Sequence, residues 1–357
     1  MSDHSGEPPR VGYFPEEKTK AAHRAESRAQ EAPQPRRRIN PLRLALLIAC
    51  AAVFVTCAAL LISYGVDLLR ANRASEELRS VYHAAENQPP AETEAAAPLP
   101  IESTAPPQQT EEPQATDAPQ AAAATAEPAQ TVAPASASGL YPGNPSLHIR
   151  DEFTALRRRN KDIIGWLTID GMIDEAVVQR DNSYYLGRDY LGYHNVNGAL
   201  FLDENCNLRT PPVHMVIHGH NMKTGAMFGH LKQYKMKGAA FYKEHPFVTF
   251  DTIYEQARYV IFAALEVSTN VKDANFVNFI GAQSLSDDAA FEAYVARMKA
   301  LSIYQTDVSA QPGDRLLTLA TCTGVGSDER MLVVARLLRD DEDEFALNQQ
   351  IYMTGNK

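Results

Sequence analysis

The sequence predicts a mostly β fold with α-helices, arranged as a closed or nearly closed barrel. Short runs rich in Val, Ile, Leu and aromatic residues recur through the second half of the chain, bounded by Gly, Asp and Asn. Helical periodicity is found where this region begins and again before its last strands. Many short strands with few helices are typical of barrels.

Eight runs have the length and composition of strands. In chain order they are residues 163–169, 176–179, 199–203, 215–218, 247–251, 258–267, 315–320 and 331–338. Two helices are expected beside them. Residues 146–160 place Ile149, Phe153 and Leu156 on one face, and residues 287–301 repeat that spacing.

A cysteine closely follows the seventh run, in the sequence TLATC, whose last residue is Cys322. Arg330 leads the next apolar run, so a thiol and a guanidinium stand at facing ends of two neighbouring strands. Nucleophilic cysteine chemistry needs the thiolate, and an ordinary thiol supplies little of it at neutral pH. A nearby cation shifts that balance toward the charged form. We therefore take Cys322 as a candidate nucleophile.

A histidine that could exchange protons with it lies upstream. The segment HMVIHGHN reads as a short strand ending at a Gly turn, and it offers His218 and His220 as candidates. Papain-like enzymes place their cysteine near the mature N-terminus with the histidine downstream, which is the reverse order. The SHGC-type sequence of L,D-transpeptidases is absent around Cys322.

These residues resemble the sortases, and within them class B. The family carries a TLxTC signature, an arginine on the next strand and a histidine in a GHNM-type segment. This chain has TLATC, then Arg330 before MLVVARL, and GHNMKTGAMF from residue 219. Further similar segments are NKDIIGW, DNSYYL and GALFLD, which begin at residues 160, 181 and 198. The resemblance extends from near Ser146 almost to the C-terminus.

The resemblance implies an eight-stranded β-barrel with an N-terminal helix and a long helix before the strand of the catalytic cysteine, where residues 287–301 fit. It also implies the site residues. Cys322 is the nucleophile, His220 the acid and base, and Arg330 the group that stabilises the oxyanion. Thr321 is expected to contact the substrate or to lie beside the oxyanion. One departure is His218, where the family pattern leads us to expect an aromatic residue such as tyrosine.

The implied reaction is a transpeptidation. The thiolate attacks the threonine carbonyl of a C-terminal sorting signal on a secreted protein, and an amine resolves the thioester. That amine belongs to a peptidoglycan precursor or, in some members, to a pilin lysine. A membrane-anchored cysteine hydrolase would use the same thiol and imidazole with water. A non-catalytic envelope-binding module would require all three residues to be incidental.

The N-terminal part predicts attachment to a membrane. Residues 44–66 contain no charge and are long enough to cross a bilayer as a helix. Arginines cluster before them at 36–38 and 43, which predicts a cytoplasmic N-terminus and an extracellular catalytic domain. Residues 1–43 are expected to be a disordered tail, 67–87 a juxtamembrane stalk, and 146–357 the catalytic domain.

Residues 88–145 are expected to be a disordered linker, because Ala, Pro, Glu, Gln and Thr dominate them. The net charge of −10 is concentrated there, and no basic stripe indicates nucleic-acid binding. Two of the four cysteines, Cys50 and Cys57, lie in the apolar segment, which leaves no disulfide framework. Cys206 is expected to fill space, and His214, His218 and His230 to be structural. No spacing indicates a metal site or another cofactor.

Overall fold

The computed structural model describes residues 40–87, 141–281, 285, 287–322 and 328–354. The chain forms two compact units, residues 1–63 and 64–357, and each is considered by itself. Most of the expected cytoplasmic tail and most of the expected linker lie outside the described residues.

The second unit contains a closed barrel of eight strands. The strands are β1 (Ile163–Ile169), β2 (Ile173–Val178), β3 (Leu200–Leu202), β4 (His214–His218), β5 (Phe247–Thr252), β6 (Arg258–Ser268), β7 (Leu316–Cys322) and β8 (Glu329–Leu337). Around the barrel they follow the order β1, β2, β3, β4, β7, β8, β6, β5. Neighbours are antiparallel except β2 with β3 and β4 with β7, which are parallel.

Six α-helices accompany the strands in the described residues. They are α1 (Pro41–Glu86), α2 (Asp151–Arg159), α3 (Lys232–Met236), α4 (Ala239–Glu244), α5 (Asp288–Leu301) and α6 (Glu344–Thr354). Helix α5 begins where it does because the carboxylate of Asp287 accepts a hydrogen bond from the amide of Ala290 at 3.1 Å. Acidic residues in the first turn of α2 and arginines in its last turn complement the helix dipole.

The fold class predicted from the sequence is confirmed. Each of the eight expected runs overlaps one strand, with ends within three residues of the predicted ones, and both expected helices are present. Helices α3, α4 and α6 were not expected. Their few buried side chains leave no clear helical stripe of apolar residues in the sequence.

Helix α1 begins in the first unit, where its apolar side chains are exposed. Leu47, Phe54 and Leu61 have between 64% and 74% of their surface accessible. Among the described residues, α1 is the one helix long and apolar enough to cross a membrane.

The part of α1 that belongs to the second unit packs on the barrel. Leu78 and Tyr82 are buried, and the Tyr82 ring stacks on Trp166 of β1 with centroids 4.4 Å apart. The Tyr82 hydroxyl donates to Asp251 at 2.7 Å, and Arg79 forms an ion pair with Asp174 at 2.8 Å. The segment expected to be a stalk thus contributes to the packed surface of the barrel.

The strand order brings the ends of β4, β7 and β8 together. Because β4 and β7 are parallel, their carboxyl ends meet at the same edge, and the antiparallel β8 begins there. His218 is the register partner of Ala320, and Cys322 is the register partner of Arg330. The residues singled out by the sequence therefore converge at one place on the barrel.

Candidate active site

A cleft of about 210 Å³ lies at this convergence. Its walls include His220, Thr321 and Arg330, three of the four residues expected to form the site. His218 and Leu186 also line it. The segment that follows β7, residues 323–327, lies outside the described residues.

The fourth expected residue, Cys322, is described by its backbone. It ends β7, directly after Thr321 and opposite Arg330 across the β7–β8 ladder. The amide of Gly219 donates to the carbonyl of Ala320 at 3.2 Å, so the chain leaving β4 stays beside β7 up to the position of His220. The backbone thus places Cys322 beside the cleft.

His220 is oriented by a backbone carbonyl. Its Nε2 lies 2.7 Å from the carbonyl oxygen of Leu186, which belongs to a 3₁₀ helix, Tyr184–Gly187. Because a carbonyl oxygen can only accept, Nε2 carries the proton and donates. In the neutral ring Nδ1 is then the unprotonated nitrogen. This tautomer is the one in which Nδ1 can accept a proton.

Gly198 makes this arrangement possible. Its φ is +62°, and a β-carbon there would lie 2.7 Å from the carbonyl oxygen of Tyr185 and 2.9 Å from that of Leu186. The same β-carbon would lie 3.1 Å from Cδ2 of His220. Gly198, two residues before β3, therefore leaves the space in which the Leu186 carbonyl and the imidazole of His220 come together.

His218 has a different partner. Its Nε2 lies 3.0 Å from Oδ2 of Asp203, a carboxylate with no exposed surface, and its ring stacks on Phe201 at 5.1 Å. The carboxylate of Asp203 also accepts a hydrogen bond from Nδ2 of Asn182 at 3.0 Å. The two histidines of the cleft are thus held by two different groups.

Thr321 and Arg330 differ in exposure. Thr321 is buried, and its Oγ1 has no hydrogen-bond partner among the described residues. Arg330 is half-buried, and its Nη1 donates to the carbonyl of Glu329 at 3.0 Å. A planar guanidinium at the cleft supplies fixed N–H donors for a carbonyl or an oxyanion.

Two other residues considered from the sequence lie away from the cleft. Burial raises the pKa of the Cys206 thiol to about 12, so that thiol stays protonated at neutral pH. His214 is fully buried, and its Nε2 lies 2.7 Å from Oγ1 of Thr318. Among the described residues, no group of three or more His, Cys, Asp or Glu side chains could hold a metal ion.

No role for Asp203, Gly198 or Leu186 was expected from the sequence, although all three lie in DNSYYL and GALFLD, two segments that resemble the family. The signals were weak, since Leu186 contributes only its backbone carbonyl. An aspartate at the end of an apolar run reads as a strand boundary. Only the fold places it under the histidine.

Comparisons with known proteins find related sequences and structures. Residues 168–338 match the model of the sortase domain. Sortase B of Listeria monocytogenes is 32% identical over 199 residues, covering 55% of this chain and 77% of that protein. Sortase B of Staphylococcus aureus is 29% identical over 196 residues, covering 54% and 77%. The 2.0 Å crystal structure of the latter covers 54% of this chain and 89% of that one, with 28% identity and a TM-score of 0.49.

The chain belongs to the sortase family, and its similarity to these relatives places it in class B. It is a cysteine transpeptidase.

Proposed function

We propose that the protein cleaves a C-terminal sorting signal of secreted proteins and joins the threonine carbonyl to an amine of a peptidoglycan precursor. The observation that carries this proposal is the shared cleft of His220, Thr321 and Arg330 beside the strand end at Cys322. Neither a lone cysteine nor a lone histidine would indicate acyl transfer. Their convergence with a guanidinium does.

In the first half of the reaction, the Cys322 thiolate attacks the carbonyl carbon of the threonine. Arg330 stabilises the negative oxygen of the tetrahedral intermediate. His220 takes the Cys322 thiol proton on Nδ1 when the thiolate forms, and it gives that proton to the departing amine as the C–N bond breaks, leaving a thioester. The hydrogen bond from Nε2 to Leu186 keeps the ring in place while Nδ1 exchanges protons.

In the second half, an incoming amine attacks the thioester carbonyl and the C–S bond breaks. His220 accepts the proton that the amine loses, and Cys322 returns as the thiolate. Thr321, adjacent to Cys322 in the wall of the cleft, contacts the bound signal.

The protein is proposed to act from the outer face of the cell membrane. The apolar segment 44–66 forms part of a helix suited to a single membrane crossing, and arginines precede it in the sequence. Both features support an N-terminus in the cytoplasm and residues 146–357 outside. The acidic, proline-containing residues 88–145 are proposed to be a linker.

The test uses the full chain in detergent micelles with a panel of LPxTG-like and NPxTN-like peptides. Each peptide is combined with glycine oligomers, diaminopimelate-bearing stem peptides or lysine-bearing pilin peptides, and products are identified by mass spectrometry. A thioester reacts with water as well as amines, so an amine at low concentration prevails only if the site binds and orients it.

We expect ligated peptide with an amine of peptidoglycan type, and faster release of the leaving fragment when that amine is present. Ligation to lysine-bearing pilin peptides alone would instead indicate a pilin-polymerising sortase. Hydrolysed product with every amine would contradict the transpeptidation proposed here.

A further inference from the structure

We propose that Asp203 is a positioning residue that sets the orientation of His220 through Asn182 and the 3₁₀ helix that carries Leu186. This inference rests on the proposed role of His220 as acid and base. It assigns a function to a carboxylate that does not itself touch the reacting atoms.

The first step is the character of the Asp203 side chain. It is fully buried just after the carboxyl end of β3. In the hydrogen bonds described for this side chain, its carboxylate oxygens are the acceptors. Oδ1 accepts from the amide and Nδ2 of Asn205 at 3.0 and 2.9 Å. Oδ2 accepts from Nδ2 of Asn182 at 3.0 Å and meets Nε2 of His218 at 3.0 Å. A carboxylate suits this set because it has only acceptors.

The second step leads from Asp203 to the segment before the 3₁₀ helix. Asn182 is held from two directions, since its Oδ1 also accepts from the amide of Glu204 at 2.9 Å. The segment is stiffened by Asp181, whose Oδ1 accepts from the amides of Ser183 at 3.1 Å and Tyr184 at 2.9 Å. Together these hydrogen bonds connect the start of the 3₁₀ helix to the buried carboxylate of Asp203.

The third step reaches the imidazole. Leu186 lies in that 3₁₀ helix, and its carbonyl oxygen accepts a hydrogen bond from Nε2 of His220 at 2.7 Å. The amide of Ala199 donates to the Tyr185 carbonyl at 3.1 Å, which ties the same helix to the residue that enters β3. Asp203 and the Leu186 carbonyl therefore belong to one connected unit, and a shift of the first displaces the second.

The fourth step is the direct contact with His218, which distinguishes two branches. One branch runs from Asp203 to Asn182 and on to His220. The other ends at His218, whose ring stacks on Phe201 in the cleft wall. The first branch acts on proton transfer, although Asn182 itself also lines the cleft, and the second branch ends in the cleft wall.

The isosteric variant Asp203→Asn tests the proposal. It keeps the volume but replaces one of the two acceptor oxygens by an NH₂ group. Either the Asn205 donors on the Oδ1 side or Asn182 and His218 on the Oδ2 side then lose their acceptor, and in both cases the carboxylate's hold on its surroundings is weakened. A displacement of about 1 Å at an acid–base group can cost roughly a hundredfold in rate. We expect kcat of the folded enzyme to fall at least tenfold, with KM for the signal peptide changed less than threefold.

A matched control separates positioning from stability. Asp251 is also buried and accepts hydrogen bonds from Tyr82 and from the amide of Ala257, but it lies on β5 and does not line the cleft. Asp251→Asn should lower the melting temperature with little change in kcat. Equal losses of kcat in both variants would overturn the proposal.

Two single-branch variants serve if Asp203→Asn folds poorly. Asn182→Ala breaks the path to His220, whereas His218→Gln breaks the path to the wall. The proposal requires the larger loss of kcat from Asn182→Ala. In a His220→Ala background, Asn182→Ala should cost less than threefold, because its effect passes through His220.

Nitrogen-15 spectra of the histidine rings give a readout that does not depend on turnover. The His220 signal, assigned by its loss in His220→Gln, is followed at a pH where the ring is neutral. It should then show the proton on Nε2 in the wild type and a mixture of tautomers in Asn182→Ala. If the wild type failed to acylate Cys322, the proposed function would fall while this measurement still tested the positioning. An unchanged His220 tautomer in both Asp203→Asn and Asn182→Ala would refute the inference.

Discussion

Gly198 and His220 are in such close contact that a β-carbon on the glycine would lie 3.1 Å from Cδ2 of the imidazole. The contact joins the residue that enters the short strand β3 to the proposed acid and base. Gly198 also lies close to the Leu186 carbonyl that orients the ring, since a β-carbon on the glycine would be 2.9 Å from that oxygen. The position of His220 therefore depends on a residue about twenty positions earlier in the chain.

Gly198→Ala should lower kcat/KM at least tenfold, because the added methyl group collides with the Tyr185 and Leu186 carbonyls and with His220. The matched control is Gly171→Ala. Gly171 has a φ of +68°, close to the +62° of Gly198, but a β-carbon there meets nothing within 4 Å. Both variants carry a backbone penalty of roughly 1–2 kcal/mol. Similar kcat/KM in the two variants would contradict a role for this contact.

Arg330→Lys should lower kcat/KM at least tenfold. Lysine keeps the positive charge but lacks the planar set of donors that a guanidinium presents to a carbonyl or an oxyanion. Arg209→Lys, at an exposed position outside the cleft, is the control and should behave like the wild type. Peptide cleavage kinetics at saturating amine measure both, and wild-type kinetics for Arg330→Lys would remove that residue from the mechanism.

Cys322→Ala should abolish acyl-enzyme formation and turnover, whereas Cys206→Ala should keep activity within a few-fold. The reason is the state of the second thiol, since burial raises the pKa of Cys206 to about 12 and leaves almost no thiolate at neutral pH. Intact-mass spectrometry after mixing with signal peptide measures the acyl-enzyme. A folded Cys206 variant without activity, beside an active Cys322 variant, would reverse the assignment.

The sequence predicted the barrel because its strands are recorded as local apolar runs. Residues 163–169 were expected as a strand and form β1 with the same ends. For the cleft, the sequence predicted those residues whose side chains are themselves reactive or charged. His220, Thr321 and Arg330 were expected together and line one cavity.

Interactions that depend on distant parts of the chain could not be read in this way. The side of α1 that faces the barrel carries Ser75, Arg79 and His83, which look solvated in the sequence. Their partners, Asp174 and Glu175 on β2, lie about a hundred positions away. Asp203 shows the same limit, because its burial under the cleft follows from barrel closure rather than from its neighbours in sequence.

Removing the Tyr82 side chain should destabilise the barrel. Tyr82→Ala loses the stack on Trp166 and leaves the buried Asp251 without its hydroxyl donor, so we expect a loss of about 3 kcal/mol or more. Tyr193→Ala, at a tyrosine that is 70% exposed, should change stability little. Urea unfolding followed by the fluorescence of Trp166, the single tryptophan, measures both. Equal stability of the two variants would show that the docking of α1 contributes nothing.

The last prediction concerns acid stability and Glu342. Burial opposes ionisation of this carboxyl, but hydrogen bonds from Arg336 and from the Arg339 amide outweigh it and hold the pKa below its usual value. A depressed pKa in the folded state adds stability above the unfolded pKa, and that stability is lost as pH falls through the folded value. Glu342→Gln should therefore be less stable than the wild type at pH 6, by about 3 kcal/mol because it leaves the buried Arg336 poorly paired. The difference should shrink as the pH falls below about 4.5.

Urea midpoints between pH 3 and 7 (roughly, the range over which a carboxyl titrates) measure this difference, with Glu244→Gln at an exposed position as the control. A gap between wild type and Glu342→Gln that stayed constant with pH would contradict the coupling of Glu342 to Arg336.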